Sequence, residues 1–485
     1  MAISLTFITG PVLYFRGKVA QRYQLAVLIV IPAGAPPPPL QADGVEATAE
    51  SLGSRLERTV WRYTFAVKGN ATERAITYAI SERTWRFFLP GDAHLRIAFT
   101  ACNGLEEGDC LGAVDPNRNE RWQHLGAEHA RSPFHLLIQG GDQLYADDVW
   151  REVPYLAAWR KRSRHARVTA PFPPEVAEAA ADFYFDHYCR IWAQHDIAPL
   201  VASIPSLMMW DDHDIFDGWG SHPPDLQHCP VFRGVGSIAR RHFTLFQLAA
   251  SPNALPAGFG DPTGKHFGWS FMMDGIGMLA PDLRSERTRH QILSETSWRW
   301  LQEALEALEH CRRVFVVSTV PVLNIDLSPL ERMVAFLPPG RHFYQDDLRD
   351  QWRSYAHRQE WQRLLDCLLD FSQRTQTPVT ILSGEIHFGA AGFVERNSTR
   401  IYQLISSAIV HPSPPLLIAY CFDLLGRGTR KVAPRTQLRM LPLPGLGKRY
   451  LAARNWLALE CPTASALQAQ WHSAGQPSMI TMRVA

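Results

Sequence analysis

Residues 134–148 read FHLLIQGGDQLYADD. The apolar run Leu136, Leu137 and Ile138 is too short for an independent helix, and Gly140 and Gly141 cut it off, which is how a buried central strand ends. Asp142 and Tyr145 then emerge beyond its carboxyl end. In open α/β sheets ligands collect at the carboxyl ends of strands, so an acid and a phenol placed there are candidates for chemistry. Taken alone, the run also reads as an ordinary strand-to-loop turn in which Asp142 supplies a local hydrogen bond.

Other stretches repeat the pattern. Residues 206–210, SLMMW, open directly onto Asp211, Asp212, His213 and Asp214, and residues 379–382, VTIL, open onto Ser383, Gly384, Glu385, Ile386 and His387. A further strand over 95–100 ends in Ala101, Cys102, Asn103 and Gly104. Strand ends carrying Asp, Asp-His and Glu-x-His converge on one point only if a shared sheet holds them. The groups they offer are the oxygen and nitrogen ligands that hard and borderline metals take, which predicts a metal centre. Cys102 reads either as a buried inert thiol or as a thiolate ligand beside Asp142, since a metal deprotonates a coordinating thiol.

The bulk of the chain frames these motifs. Its 485 residues exceed the size at which single cores stop growing. With 46% hydrophobic and 20% charged residues, the composition is that of a globular protein. The formal charge of +2, from 49 basic and 47 acidic residues, gives no support to a nucleic-acid binder, which needs a basic face. Residues 1–10 lack a basic n-region, a twin-Arg pair and a cleavage site, and the apolar run 25–32 is far too short to span a bilayer, so a cytoplasmic location without a transmembrane segment is expected. Eight Cys without a CxxC pair are expected to be free thiols.

Three units are expected: a small β-rich, sandwich-like domain over 1–93, an α/β domain over 94–410 with a helical insertion at about 147–205, and an extension over 411–485 packed on the core. Within the α/β part, helices are expected over 119–130, 175–192, 295–308 and 359–371, a hairpin over 267–279, and strands over 314–320 and 379–382. Residues 454–459 read as a late edge strand. Arg160, Lys161, Arg162, Arg164 and Arg167 form a basic run that reads as a solvated face or as a lid attracting anions. Arg284, in PDLR, is a candidate phosphate clamp, because a guanidinium offers a planar fork to tetrahedral oxyanions; a salt bridge is the competing reading. The apolar run 415–425 is expected to pack into the core, with docking on a membrane or partner as the alternative.

The series AC at 101–102, GGDQLYADD at 140–148, MWDDHDIFDGWGS at 209–221, PDLR at 281–284 and SGEIHFG at 383–389 resembles, in order, the PhoD-like metallophosphatases, a branch of the calcineurin-like metallophosphoesterases. The resemblance implies two mixed β-sheets sandwiched between helices, with metals held at strand ends. Carried over by position, Asp142 would bridge two metals; Cys102 and Tyr145 would bind Fe3+ with His387 nearby. Asp212, helped by Glu385, would hold Ca2+, with Mn2+ or Zn2+ as other metals such a centre takes. His213 would sit beside the scissile bond as general acid or transition-state stabiliser, and Arg284 would hold the phosphate. The implied activity is hydrolysis of a small phosphate ester by metal-activated hydroxide, as a phosphatase or phosphodiesterase. Alternatives are a phospholipase D-like diesterase, a non-catalytic phospho-ligand binder and a thiol hydrolase on Cys102. One departure stands out: the family motif usually reads SGDVH, and position 385 here is Glu. The missing export signal also departs from the secreted alkaline phosphatases of that family.

Overall fold

A computed structural model describes residues 7–92, 94–105, 117–251, 254–261, 264–328, 350–462, 466–475 and 479–484. Two large mixed sheets form the centre. The first runs, in spatial order, Ile480–Val484, Leu467–Ser473, Asn455–Pro462, His94–Thr100, Leu136–Gly140, Ser206–Met209, Thr9–Val19, Arg22–Pro32, Arg58–Lys68 and Thr48–Arg55. Its four middle strands, His94–Thr100 through Thr9–Val19, are parallel. The second runs Trp269–Met273, Ile276–Ala280, Arg313–Val317, Val379–Ser383, Thr399–Ser406, Gly389–Arg396, Thr436–Leu441 and Thr429–Ala433, again with a parallel middle. Parallel strands are buried on both faces and so read as continuous apolar runs, which is what LLIQG, SLMM and VTILS are.

The sheets lie against each other, and indole donors tie them together. Trp269 Nε1 donates to the Met208 carbonyl at 2.9 Å, and Trp471 Nε1 donates to the Ile405 carbonyl at 2.8 Å. Amphipathic helices cover the outer faces. Pro174–Trp192 packs against Pro230–Phe246 and the strand Thr9–Val19, while Glu295–Glu306 and Arg358–Thr375 pack together beside the second sheet. The α/β layering of helices around two mixed sheets is therefore as expected. The insertion after the central strand is helical, from Val149–Glu152 to Ala198–Ser203.

The outer boundaries differ from expectation. The strands Thr9–Val19, Arg22–Pro32, Arg58–Lys68 and Thr48–Arg55 do not form a separate sandwich. Thr9–Val19 pairs in parallel with Ser206–Met209, so they continue the central sheet, and only Val45–Glu46, Leu40–Ala42, Arg74–Ile80 and Arg83–Leu89 make a small sheet of their own. At the other flank Asn455–Pro462 is an interior strand between His94–Thr100 and Leu467–Ser473, not an edge. The apolar run 415–425 forms a helix, Leu416–Leu425, whose Leu416 and Leu417 are 77% and 73% exposed. Ala419 and Phe422 reach the core of the second sheet, while the leucines stay exposed.

Candidate metal centre

Every motif singled out at a strand end arrives at the same place, the shared carboxyl edge of the two parallel middles. Cys102 follows His94–Thr100, Asp142 follows Leu136–Gly140, Asp211 and Asp212 follow Ser206–Met209, Thr319 follows Arg313–Val317, and Glu385 follows Val379–Ser383. The chain turns sharply at these points. Cys102, Asp142, Glu385, His387 and Ala408 all hold positive φ, between 56° and 83°, a conformation that costs a non-glycine residue about 1–3 kcal/mol and clusters at functional sites. Gly104 and Gly384 allow the close approach: a Cβ on Gly104 would overlap the Tyr145 ring, and one on Gly384 would lie 2.5 Å from Ala101 Cβ.

Asp142, Asp211 and Asp212 each offer a carboxylate oxygen, all within 4.8 Å of one another, and all three residues are buried. Asp142 Oδ1 and Asp211 Oδ2 are buried without a hydrogen-bond partner. Burial, then the Asp211 charge, pushes the Asp142 carboxyl well up, and burial pushes Asp211 up to about 6 against the pull of Arg284. Orphaned oxygens on crowded buried carboxylates are what a bound cation relieves. Asp214 sets the geometry. It accepts from the backbone N–H groups of Asp142, Leu144 and Asp211 at 2.9 Å each and from Gln247 Nε2 at 2.8 Å.

Asp147 Oδ2 bonds His213 Nδ1 at 2.7 Å, and Asp147 Oδ1 accepts the Asp217 N–H at 2.7 Å. Burial alone would lower the His213 pKa, but the charges of Asp147, Asp212 and Asp142 raise it well above the usual value. Tyr145 stacks on that ring with centroids 4.2 Å apart. On the far side Tyr145 Oη lies 3.5 Å from His387 Nε2, and His387 stacks on His411 at 3.6 Å. Cys102 Sγ sits 3.6 Å from Asp142 Oδ2 and 3.1 Å from Ser407 Oγ. Burial and Asp142 push its thiol well up, the opposite of what a thiol nucleophile needs.

Two expected roles change. Arg284 is fully buried and is not a free fork: Nε donates to Asp211, Nη2 meets Asp212 at 3.2 Å and Asp350 at 2.6 Å, and Nη1 donates to Asp350 at 2.8 Å. These contacts occupy its donors with carboxylates and hold the cluster in place. Glu385 does not join the Asp142, Asp211 and Asp212 group among the described residues; its carboxylate receives Gln351 Nε2 at 3.0 Å and 3.1 Å. The extra methylene relative to Asp carries it to that amide. Asp211, Asp350, Asp147, Ser407 and His411 are site residues that the motif reading did not select. Asp211 and Asp147 stood inside quoted motifs, whereas Asp350, Ser407 and His411 carried no local pattern.

Asp142, Asp211 and Asp212 suit a hard cation; Cys102, 3.6 Å from Asp142, and the pair Tyr145 and His387 stand at the same edge, and Cys102 and His387 complete no second such group among the described residues. A further group, His124, Glu128 and His472, also lies within 4.8 Å. There Arg131 occupies both Glu128 oxygens, and Arg96, Arg121 and Arg131 all act on His472, so the local charge opposes a cation. The basic run 160–167 lines the surface, with Arg164 Nη2 paired to Asp225 at 2.8 Å.

Several known proteins are similar to this chain in sequence or in fold. The uncharacterized protein YGR266W of Saccharomyces cerevisiae is 24% identical over 447 residues, covering 73% of this chain; the chain spans 63% of that relative's length. A structure of PhoD matches with a TM-score of 0.60 at 12% identity, covering 100% of this chain and 90% of the other. Purple acid phosphatase PPD1 from yellow lupin (Lupinus luteus) seeds matches with a TM-score of 0.52 at 10% identity, covering 98% and 74%. Among the described residues no helix is long and apolar enough to cross a membrane. Since the model of PhoD related phosphatases matches residues 55–345, more than half of the sequence, the chain belongs to the PhoD-related phosphatase family.

Proposed function

We propose that this protein hydrolyses a small phosphoric ester at a binuclear metal centre. This reading rests on the trio Asp142, Asp211 and Asp212, with two buried oxygens lacking hydrogen-bond partners, set beside the His213 ring held by Asp147. Asp142 stands between the two donor groups and is assigned to both ions. Cys102, Tyr145 and His387 are assigned to a ferric ion, because anionic thiolate and phenolate suit a hard trivalent centre. Asp211 and Asp212 are assigned to a calcium ion or another divalent cation. Metal ions bound here supply Lewis acidity toward a phosphoryl oxygen and acidify water toward neutral pH.

The chain's own groups do the rest. His213 carries the proton on a ring oriented by Asp147 and Tyr145, which suits delivery to a departing alkoxide oxygen. Arg284 aims the Asp211 and Asp212 carboxylates into the cluster. The raised thiol and the lack of an imidazole hydrogen bond to Cys102 among the described residues disfavour a thiol hydrolase.

Metal content measured by mass spectrometry, with the visible spectrum of protein purified without chelator, tests this assignment. Iron held by tyrosinate and thiolate gives a charge-transfer band, and Tyr145→Phe is expected to abolish or shift it. A colourless protein with two zinc or manganese ions overturns the ferric assignment; turnover of phosphate esters that survives full metal removal overturns the hydrolase reading.

A further inference from the structure

The helix Leu416–Leu425, LLIAYCFDLL, turns its apolar residues to solvent. Leu416, Leu417, Ile418, Tyr420, Leu424 and Leu425 are between 42% and 77% exposed, and only Ala419 and Asp423 are buried. At ten residues it is about 15 Å long, half of what a bilayer crossing needs. The sequence that carries it is strongly basic. Residues 411–450 contain seven Arg or Lys against one acid, Asp423, a net +6 in a chain whose formal total is +2.

The positive charge sits at the helix itself. Arg430 Nη2 donates to the Leu425 carbonyl at 2.7 Å, and Arg427 and Arg449 share the single carboxylate of Asp423, at 3.4 Å and 3.5 Å. Lys431, Arg435, Arg439 and Lys448 are exposed and have no carboxylate partner among the described residues. Phe422 packs on Phe388 with centroids 5.2 Å apart, next in sequence to His387, and His411 at the root of the segment stacks on His387 at 3.6 Å. The segment is thus tied to residues 387 and 388, beside the candidate metal centre.

We propose that the helix Leu416–Leu425 with its basic rim is a docking face for an anionic lipid bilayer, seating the centre at headgroup level. Apolar side chains on nearly every side of a short protruding helix suit insertion into a fluid interface, which needs no preformed groove. The rim supplies attraction to anionic headgroups, each basic residue adding to it within a Debye length. A second copy of the chain is disfavoured, because it would bring two faces of the same sign together. Docking of this face does not depend on the hydrolytic reading.

Cosedimentation of the full chain with vesicles of phosphatidylcholine, with and without phosphatidylserine, tests it. Binding is expected to be about tenfold stronger with phosphatidylserine and to fall as salt rises. The double variant Leu416→Asp, Leu417→Asp is expected to lose binding by about tenfold or more with an unchanged thermal midpoint. The variant Lys431→Glu, Arg435→Glu is expected to lose the preference for phosphatidylserine. Equal pelleting with both vesicle types, or equal pelleting of wild type and the leucine variant, overturns the proposal. So does a dimer, seen by light scattering, that the leucine variant dissociates, which assigns the face to a second copy.

Discussion

At the scale of single residues the site is a balance of buried charges, and removing one partner exposes the other. Arg284 neutralises Asp211, Asp212 and Asp350 at zero exposure, so Arg284→Gln is expected to destabilise the fold by about 3–5 kcal/mol in urea denaturation, as breaking a buried ion pair does. Asp147→Asn acts differently. It leaves the cluster intact but loosens His213, so kcat is expected to fall by about 10²–10⁴ with KM little changed, measured with an aryl phosphate. Gly104→Ala drives the Tyr145 ring off its stack on His213, and loss of turnover is expected to exceed loss of stability. Asp142, Asp212, His213 and Tyr145 were legible in the sequence because each follows a short apolar run. The role of Arg284 was not, since a guanidinium reads alike as clamp or counterion until its neighbours are known. Nor was the Gln351 amide that donates to the Glu385 carboxylate, since no local pattern marks Gln351.

At the scale of elements, apolar periodicity located the parts well. The helices Glu120–Arg131, Glu295–Glu306 and Arg358–Thr375 and the hairpin strands Trp269–Met273 and Ile276–Ala280 fall within a few residues of expectation. The helix Leu416–Leu425 is apolar as expected, and Ala419 and Phe422 reach the core while its leucines stay exposed, because sequence gives the hydrophobicity of a segment and not what covers it. Burial within helices also sets acid stability. His242, in Pro230–Phe246, is buried and bonds the Ile238 carbonyl at 2.8 Å; burial lowers its pKa from 6.5 to about 4. The unfolded chain therefore binds the proton first on acidification, and stability is lost as pH falls from 6.5 toward 4. Between pH 7 and pH 5 that amounts to about 2 kcal/mol for this imidazole. The difference in urea midpoint between these pH values is expected to shrink in His242→Gln.

At the scale of the whole molecule, the sheet that carries the site is assembled from both ends of the chain. Thr9–Val19 lies on one side of Ser206–Met209, and Asn455–Pro462 lies on the other side of His94–Thr100, the strand that delivers Cys102. Strand periodicity marks which residues face inward but leaves the neighbouring strand unspecified, which is why both flanks were read as appendages. A chain ending at Arg454 is expected to be insoluble or to lack cooperative unfolding, since it strips His94–Thr100 of its antiparallel partner and removes the buried Trp456 and Trp471. The proposed function requires the carboxylates at this shared edge to hold catalytic metal ions. Phosphate-ester turnover, measured alongside metal stoichiometry before and after chelation in wild type and Asp142→Asn, tests it most directly. Turnover that disappears with the metal, returns on reconstitution and is lost with metal in Asp142→Asn is the predicted result; full turnover without metal, or an Asp142→Asn variant that keeps both, would contradict it.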